Sequence, residues 1–174
     1  MPGSTSLLAE PLGPSLGIQA QLPILLAEYP FRTQQDIADY LHLLQDLPRY
    51  FSDLIALEQE KSRQGVFQND LAVDGIIRQC SAFLADADTP ESHLLHTVFQ
   101  NKLQASSLFS EAERNLCLQT HEKLLTSCVF PAYRSLSDAL SSLRGKGTQN
   151  AGGLSRQEGG LSYYAYLLRS RVGV

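Results

Sequence analysis

The sequence predicts an all-α fold, a multi-helix array around one long kinked central helix. Two observations carry this. Thirty Leu stand against twelve Val plus Ile, and straight-stem residues favour helices where β-branched ones favour strands. Apolar residues also recur at helical spacing in segment after segment, most persistently from Ser110 to Arg144. At 174 residues, 43% of them hydrophobic, the chain can bury a core of useful size as one domain. The expected division is an extended arm over 1–16 and a single helical domain over 17–174, with a Gly-rich loop at 145–160.

Taken in order, the arm holds Pro2, Pro11 and Pro14 among small polar residues and reads as lacking a core of its own. From Gly17 to Tyr29 an apolar run contains Pro23, which fits the first turn of a short helix burying Leu25, Leu26 and Tyr29. Glu28 reads as a solvent-side acid. Thr33-Gln34-Gln35-Asp36 resembles a capping box, followed at helical spacing by Ile37, Tyr40, Leu41 and Leu44. Pro48 is expected to end that helix and begin another with Phe51, Leu54 and Ile55 inside and a solvated end of Glu58, Glu60, Lys61 and Arg63. Asn69-Asp70 starts the next helix, carrying Val73, Ile76, Ile77, Cys80, Phe83 and Leu84. Thr89-Pro90-Glu91 starts another, carrying Leu94, Leu95, Val98, Phe99 and Leu103.

The central helix opens on Ser110-Glu111-Ala112-Glu113, a second capping box with two acids at the positive end of the helix dipole. Leu118, Leu125, Val129, Tyr133, Leu136, Leu140 and Leu143 form its apolar stripe. Cys117, His121, Leu124 and Cys128 form a second row beside it. Together they span roughly half the cylinder, a face that needs two neighbours to cover it. Pro131 removes one backbone donor and is expected to kink the helix, and Gly145 and Gly147 end it. The short helices look insufficient to cover this face, so an exposed apolar helix face able to self-associate is expected. A last amphipathic segment holds Leu161, Tyr164, Leu168 and Val172.

A net charge of −4 and a pI near 5.5, with the basic residues scattered, argue against nucleic acid as a partner. No apolar run nears the roughly 20 residues a membrane span needs. The N-terminus has no positively charged leader pattern, so a cytoplasmic location is expected. Cys80, Cys117 and Cys128 read as reduced thiols on apolar helix faces.

Residues bearing chemistry do not assemble into a complete motif. His93 and His96 lie three apart on one helix, but no third ligand completes a zinc site locally. One imidazole is expected to be partly buried and the other wet. Cys117 and His121, at i and i+4, form a better-looking nucleophile pair without a third orienting group, and their row reads as core. Glu58 and Glu60, two apart, point to different sides of a helix. Gly145-Lys146-Gly147-Thr148 lacks P-loop spacing and context. No catalytic or metal residue is assigned. The most site-like feature is Tyr163, Tyr164 and Tyr166 behind Gly159 and Gly160, where glycines permit close approach and tyrosines can line a ligand pocket. The plain alternative is a helix start with one tyrosine buried and two exposed.

The run from Gly17 to Tyr29 followed by Phe31-Arg32 carries a resemblance. So do Asp36-Ile37 with Tyr40-Leu41, Tyr50-Phe51, Gln79-Cys80 with Phe83, and Pro131-Ala132-Tyr133 with Leu136. Gly159-Gly160 with Tyr163 to Leu168 completes the set. In this order they resemble the bacterial domain-of-unknown-function family 885 (DUF885). The resemblance implies long helical proteins similar to zinc metallopeptidases. Their histidine–glutamate zinc motif and a following Pro-Gly-His lie downstream of the tyrosine-rich segment. It therefore implies zinc and a peptide substrate for full-length relatives. This chain lacks those motifs and departs from the family at Arg156-Gln157-Glu158 and Val172, so no residue here inherits a zinc-ligand or catalytic role and no cofactor is assigned. The expectation is an incomplete, non-catalytic piece of a larger metallopeptidase-like fold whose helices wall the substrate cleft. The competing class is a stand-alone helical protein-interaction module. A hydrolase built on Cys117 and His121 is a third.

Overall fold

Local capping chemistry sets most helix starts in the computed structural model, which describes residues 7–147 and 158–172. The first helix, α1, runs Ile18–Glu28 and the second, α2, runs Gln34–Arg63. Thr33 Oγ1 accepts from the Asp36 amide while Asp36 accepts from the Thr33 amide at 2.9 Å, so the capping box is present with Asp in place of Glu. Helix α3, Asp70–Phe83, starts on Asn69, whose side chain accepts from the Ala72 amide. A 3₁₀ turn at Pro90–Ser92 precedes α4, Leu94–Ala105. The central helix is α5, Glu111–Leu124, a π turn at Leu125–Val129 and α6, Phe130–Leu143, opened by the Ser110–Glu113 box. A short α7, Gly160–Leu167, continues into a second π turn at Leu168–Val172. No strand occurs among the described residues, and the all-α class holds.

The central helix packs along α2 and α3, with α4 against α5, and α1 across α3 and α4. Every residue of the predicted stripe from Leu125 to Leu143 is buried. Phe51 of α2 meets the Tyr133 ring at 4.8 Å, Phe83 of α3 stacks on it at 4.1 Å, and the Tyr133 hydroxyl donates to the Gln19 carbonyl of α1 at 3.0 Å. One side chain thus joins four helices. Burying such rings is worth several kcal/mol in all, far more than any surface contact here.

The expectation of an uncovered apolar face on the central helix is therefore corrected for its second half; along α5, Cys117 and Leu118 are half-buried and Leu116 is exposed. Leu124, Leu125, Val129 and Phe130 lie in the core together with Leu136 and Leu140. The covering helix is longer than the sequence suggests, because Pro48 does not end it. Pro48 lies inside α2, with Leu44, Leu47, Phe51 and Leu54 buried on either side of it. The missing backbone bond costs about 3 kcal/mol, which continuous burial of that face offsets. Pro23 likewise sits inside α1 rather than in its first turn, and Leu25 is exposed while Leu26 is buried. At Pro131 the disturbance takes the form of the π turn just before it, where the Phe130 amide reaches back to the Leu125 carbonyl. The hydroxyls of Thr126 and Ser127 donate to carbonyls of the preceding turn, which loosens the α ladder at that point.

Three further corrections concern the ends of elements. Thr89-Pro90-Glu91 forms only the 3₁₀ turn; α4 is capped by the His93 side chain, which turns Leu94 outward. Residues 7–16 do contribute to the core, since Leu8 and Leu12 are buried. Pro14 lies so close to Gly75 that a Cβ there would meet its ring at 2.7 Å. The polar end of α2 is not uniformly solvated either: Glu58 and Lys61 are 0% and 1% exposed.

Leu136 lies fully buried at this seam. Leu136→Ala is expected to lower the unfolding free energy by about 2–5 kcal/mol, read as a lower urea midpoint by circular dichroism.

Candidate functional site

Helix α4 delivers His93 and His96, and α5 delivers His121, to one aromatic region of the core. All three are buried, so the expected split of His93 and His96 into one buried and one wet imidazole is corrected. His93 Nε2 lies 3.0 Å from the Phe83 carbonyl and Nδ1 accepts from the Leu95 amide, so its partners make it the Nε2–H tautomer with both nitrogens engaged. Its ring packs edge-on against Phe83 and Phe130. His121 stacks on Phe99 at 4.2 Å with the planes 5° apart, and its Nε2 lies 3.2 Å from the Tyr40 hydroxyl. The His96 and His121 rings are 5.6 Å apart, and Nδ1 of each is buried without a hydrogen-bond partner among the described residues.

These surroundings decide what the imidazoles can do. Burial, with the neighbouring His96 and His93, pushes the His121 pKa down to about 3. Burial pushes the Tyr40 phenol up. At neutral pH both are uncharged, and neither has a driving force for proton transfer. Burial and the nearby Glu113 carboxylate raise the Cys117 pKa, so the Cys117–His121 pair favours a thiol and a neutral imidazole instead of an activated thiolate. Nor do these residues fit zinc. No group of three or more His, Cys, Asp or Glu able to hold a metal occurs among the described residues.

A second buried titratable group, at the end of α2, escaped the sequence reading. Lys61 Nζ lies 3.3 Å from Glu58 Oε1 and donates to the Ala9 carbonyl at 3.2 Å. Glu58 Oε2 makes no hydrogen bond within normal distance among the described residues, although the Gln68 side chain lies near the carboxylate and favours its charged form. Burial raises the Glu58 pKa, opposed by Lys61. Glu60, by contrast, is solvent-side, bound to Arg63 and Gln64, so the two glutamates diverge as their spacing requires. The only signal for this pair in the sequence is the (i, i+3) spacing of Glu58 and Lys61, which surface helices share.

The tyrosine segment lies on α7. Gly159 caps it at φ 72°, a left-handed conformation that glycine adopts without strain. Gly160 is buried, Tyr163 is half-buried, and Tyr164 and Tyr166 are exposed. The Tyr163 and Tyr166 rings lie 6.1 Å apart on this helix. The Gly-rich stretch at 148–157, including Arg156-Gln157, lies outside the described residues. Cys80, Cys117 and Cys128 are free thiols, the first buried and the others half-buried. No helix among the described residues is long and apolar enough to cross a membrane.

The family model described as "Bacterial protein of unknown function (DUF885)" matches residues 5–174. A crystal structure of a protein from Colwellia psychrerythraea, provisionally described as a lipoprotein, shares the fold with a TM-score of 0.82 at 18% identity. The match covers 94% of this chain and 28% of that one. The chain therefore spans less than a third of that protein's length. No curated protein matches it.

Two outcomes are expected. An imidazole with a pKa near 3 when folded and 6.5 when unfolded binds its proton better in the unfolded chain. Its stabilising contribution is complete above pH 6.5 and drains as pH falls toward 3, on the order of several kcal/mol in total. His121→Phe keeps the ring stack and should flatten the loss of urea stability between pH 6.5 and 4 relative to wild type. Lys61→Met strands a buried carboxylate and should cost about 3–5 kcal/mol, whereas the double change with Glu58→Leu should recover most of that; a double-mutant cycle by chemical denaturation measures both.

Proposed function

The chain belongs to the bacterial family DUF885, and on that premise we propose that it is a non-catalytic helical portion of a longer, metallopeptidase-like protein, in which its helices wall a substrate cleft. The observation that carries this reading is the coverage: the same fold recurs as 28% of the C. psychrerythraea chain. Zinc and the residues that hold it belong, on this reading, to parts of the longer protein outside this chain. Support comes from the buried histidines, whose nitrogens face carbonyl, amide and phenol partners or lie enclosed. Among the apolar residues left open, Ile24 and Leu25 on α1 and Leu161, Tyr164 and Tyr166 on α7 mark where neighbouring helices would pack, with Tyr163, Tyr164, Gly159 and Gly160 at such a boundary. The three free thiols support a reducing, cytoplasmic compartment.

A second reading, a stand-alone interaction module, is favoured by the closed core along α6, whose apolar stripe from Val129 to Leu143 is buried without a further helix. The coding DNA separates the two. In-frame family residues on either side of the present termini are expected, and stop codons bounding the chain on both sides would establish the module instead. The purified chain is expected to release no product from a mixed peptide library, with or without added zinc ion, by mass spectrometry. Cleavage abolished by a chelator would overturn the non-catalytic assignment.

A further inference from the structure

A groove of about 420 Å³ opens between the α1–α2 connection and the α4–α5 connection, lined by Phe31, Arg32, Lys102, Ala105, Ser106, Ser107 and Leu108. Two cations and no carboxylate line it, in a chain whose net charge is −4. Lys102 Nζ donates to the carbonyls of Ala27 and Tyr29 and sits 5.2 Å from the Phe31 ring centre. Among the described residues these two hydrogen bonds engage two of its three protons, and the third is left for the Phe31 ring or a ligand. The exposed Arg32 side chain makes no ion pair among the described residues. Asp36, in the first turn of α2, spends Oδ2 on the amides of Arg32 and Thr33, and its charge and the Arg32 guanidinium attract one another. Behind the groove, Arg114 donates to the Ser106 carbonyl at 2.7 Å, and its Nε is buried without a hydrogen-bond partner among the described residues.

We propose that this groove is a binding site for a monocarboxylate carrying an apolar arm. The guanidinium of Arg32 supplies a fork matched to a carboxylate, which a point charge would not. The remaining Lys102 proton and the Ser107 hydroxyl supply further donors. Phe31, Ala105 and Leu108 give the arm an apolar wall beside the polar Arg32, Lys102, Ser106 and Ser107, and the volume falls within the ~300–1,000 Å³ range of small-ligand sites. Burial lowers the Lys102 pKa, against the nearby Glu28, and a bound carboxylate replaces the solvation the ammonium has lost. The carboxylate can belong to a free small acid or to the end of a peptide. The inference concerns this chain alone and does not depend on a cleft in a longer protein.

The test is an NMR titration of the full chain with 3-phenylpropionate, its neutral amide and inorganic phosphate, followed at backbone amides. Saturable shifts confined to residues 31–32 and 102–108 are expected with the acid alone. Arg32→Ala should weaken binding about tenfold with unchanged thermal unfolding, and Arg32→Lys, which keeps the charge and loses the fork, should fall between. An acetylated tripeptide ending in free Phe then distinguishes the sources. Tighter binding than the small acid assigns the groove to peptide ends, and weaker binding assigns it to free acids. Equal response to the amide, tighter binding of phosphate, absence of saturation, or an unaffected Arg32→Ala variant would each overturn the proposal.

Discussion

The seam between α2 and the central helix holds the rest of the structure in place. Its two helices each contain a proline that removes a backbone bond, at Pro48 and Pro131, and each continues past it. A missing bond in an isolated helix ends it. Here the apolar side chains before and after each proline are buried against the same opposing surface, so breaking either helix would expose Leu44, Leu47 and Phe51 or Val129, Tyr133 and Leu136 together. Tertiary burial outweighs a local defect of a few kcal/mol. The π turn before Pro131 accommodates the defect without ending the helix.

That balance explains which features were legible in the sequence. The caps at Thr33, Asn69 and Ser110 involve groups within three residues of one another, so local chemistry decides them and reading by pattern succeeds. The stripe from Leu125 to Leu143 was equally legible, since helical periodicity alone places it. Pro48 and Pro23 were misread because a local rule was applied where distant packing decides. The capping histidine of α4 was misread for the opposite reason: Thr89-Pro90-Glu91 is a sound local start signal, but His93 has a better use, bridging the Leu95 amide and the Phe83 carbonyl.

Residues 7–16 were the least legible part of the fold. Their prolines and glycines carry no periodicity, yet Leu12 is buried and the arm's carbonyls at Ala9, Leu12 and Pro14 accept from Lys61, Gln68 and Gln79. The arm covers the end of α2, which is why Glu58 and Lys61 are enclosed although their own helix marks them as solvent-facing. Gly75 admits the arm by lacking a side chain. In sequence it reads only as a weak helix position. Long-range covering of this kind leaves no pattern in either partner.

The candidate chemistry follows the same division. His121 belongs to a row that spacing identified as core, and it lies there, held neutral among rings. His93 and His96 could not be placed by spacing, because their burial depends on α3 and α5 arriving from elsewhere in the chain. An imidazole held neutral among rings, as His121 is, serves packing and polarity. The cations at Arg32 and Lys102 are 70 positions apart and unrelated by any motif. They acquire a common surface only because α1 and α4 pack together, with Lys102 holding the carbonyl end of α1. What this chain offers a small ligand is therefore a product of its fold, whereas its core is a product of its periodicity.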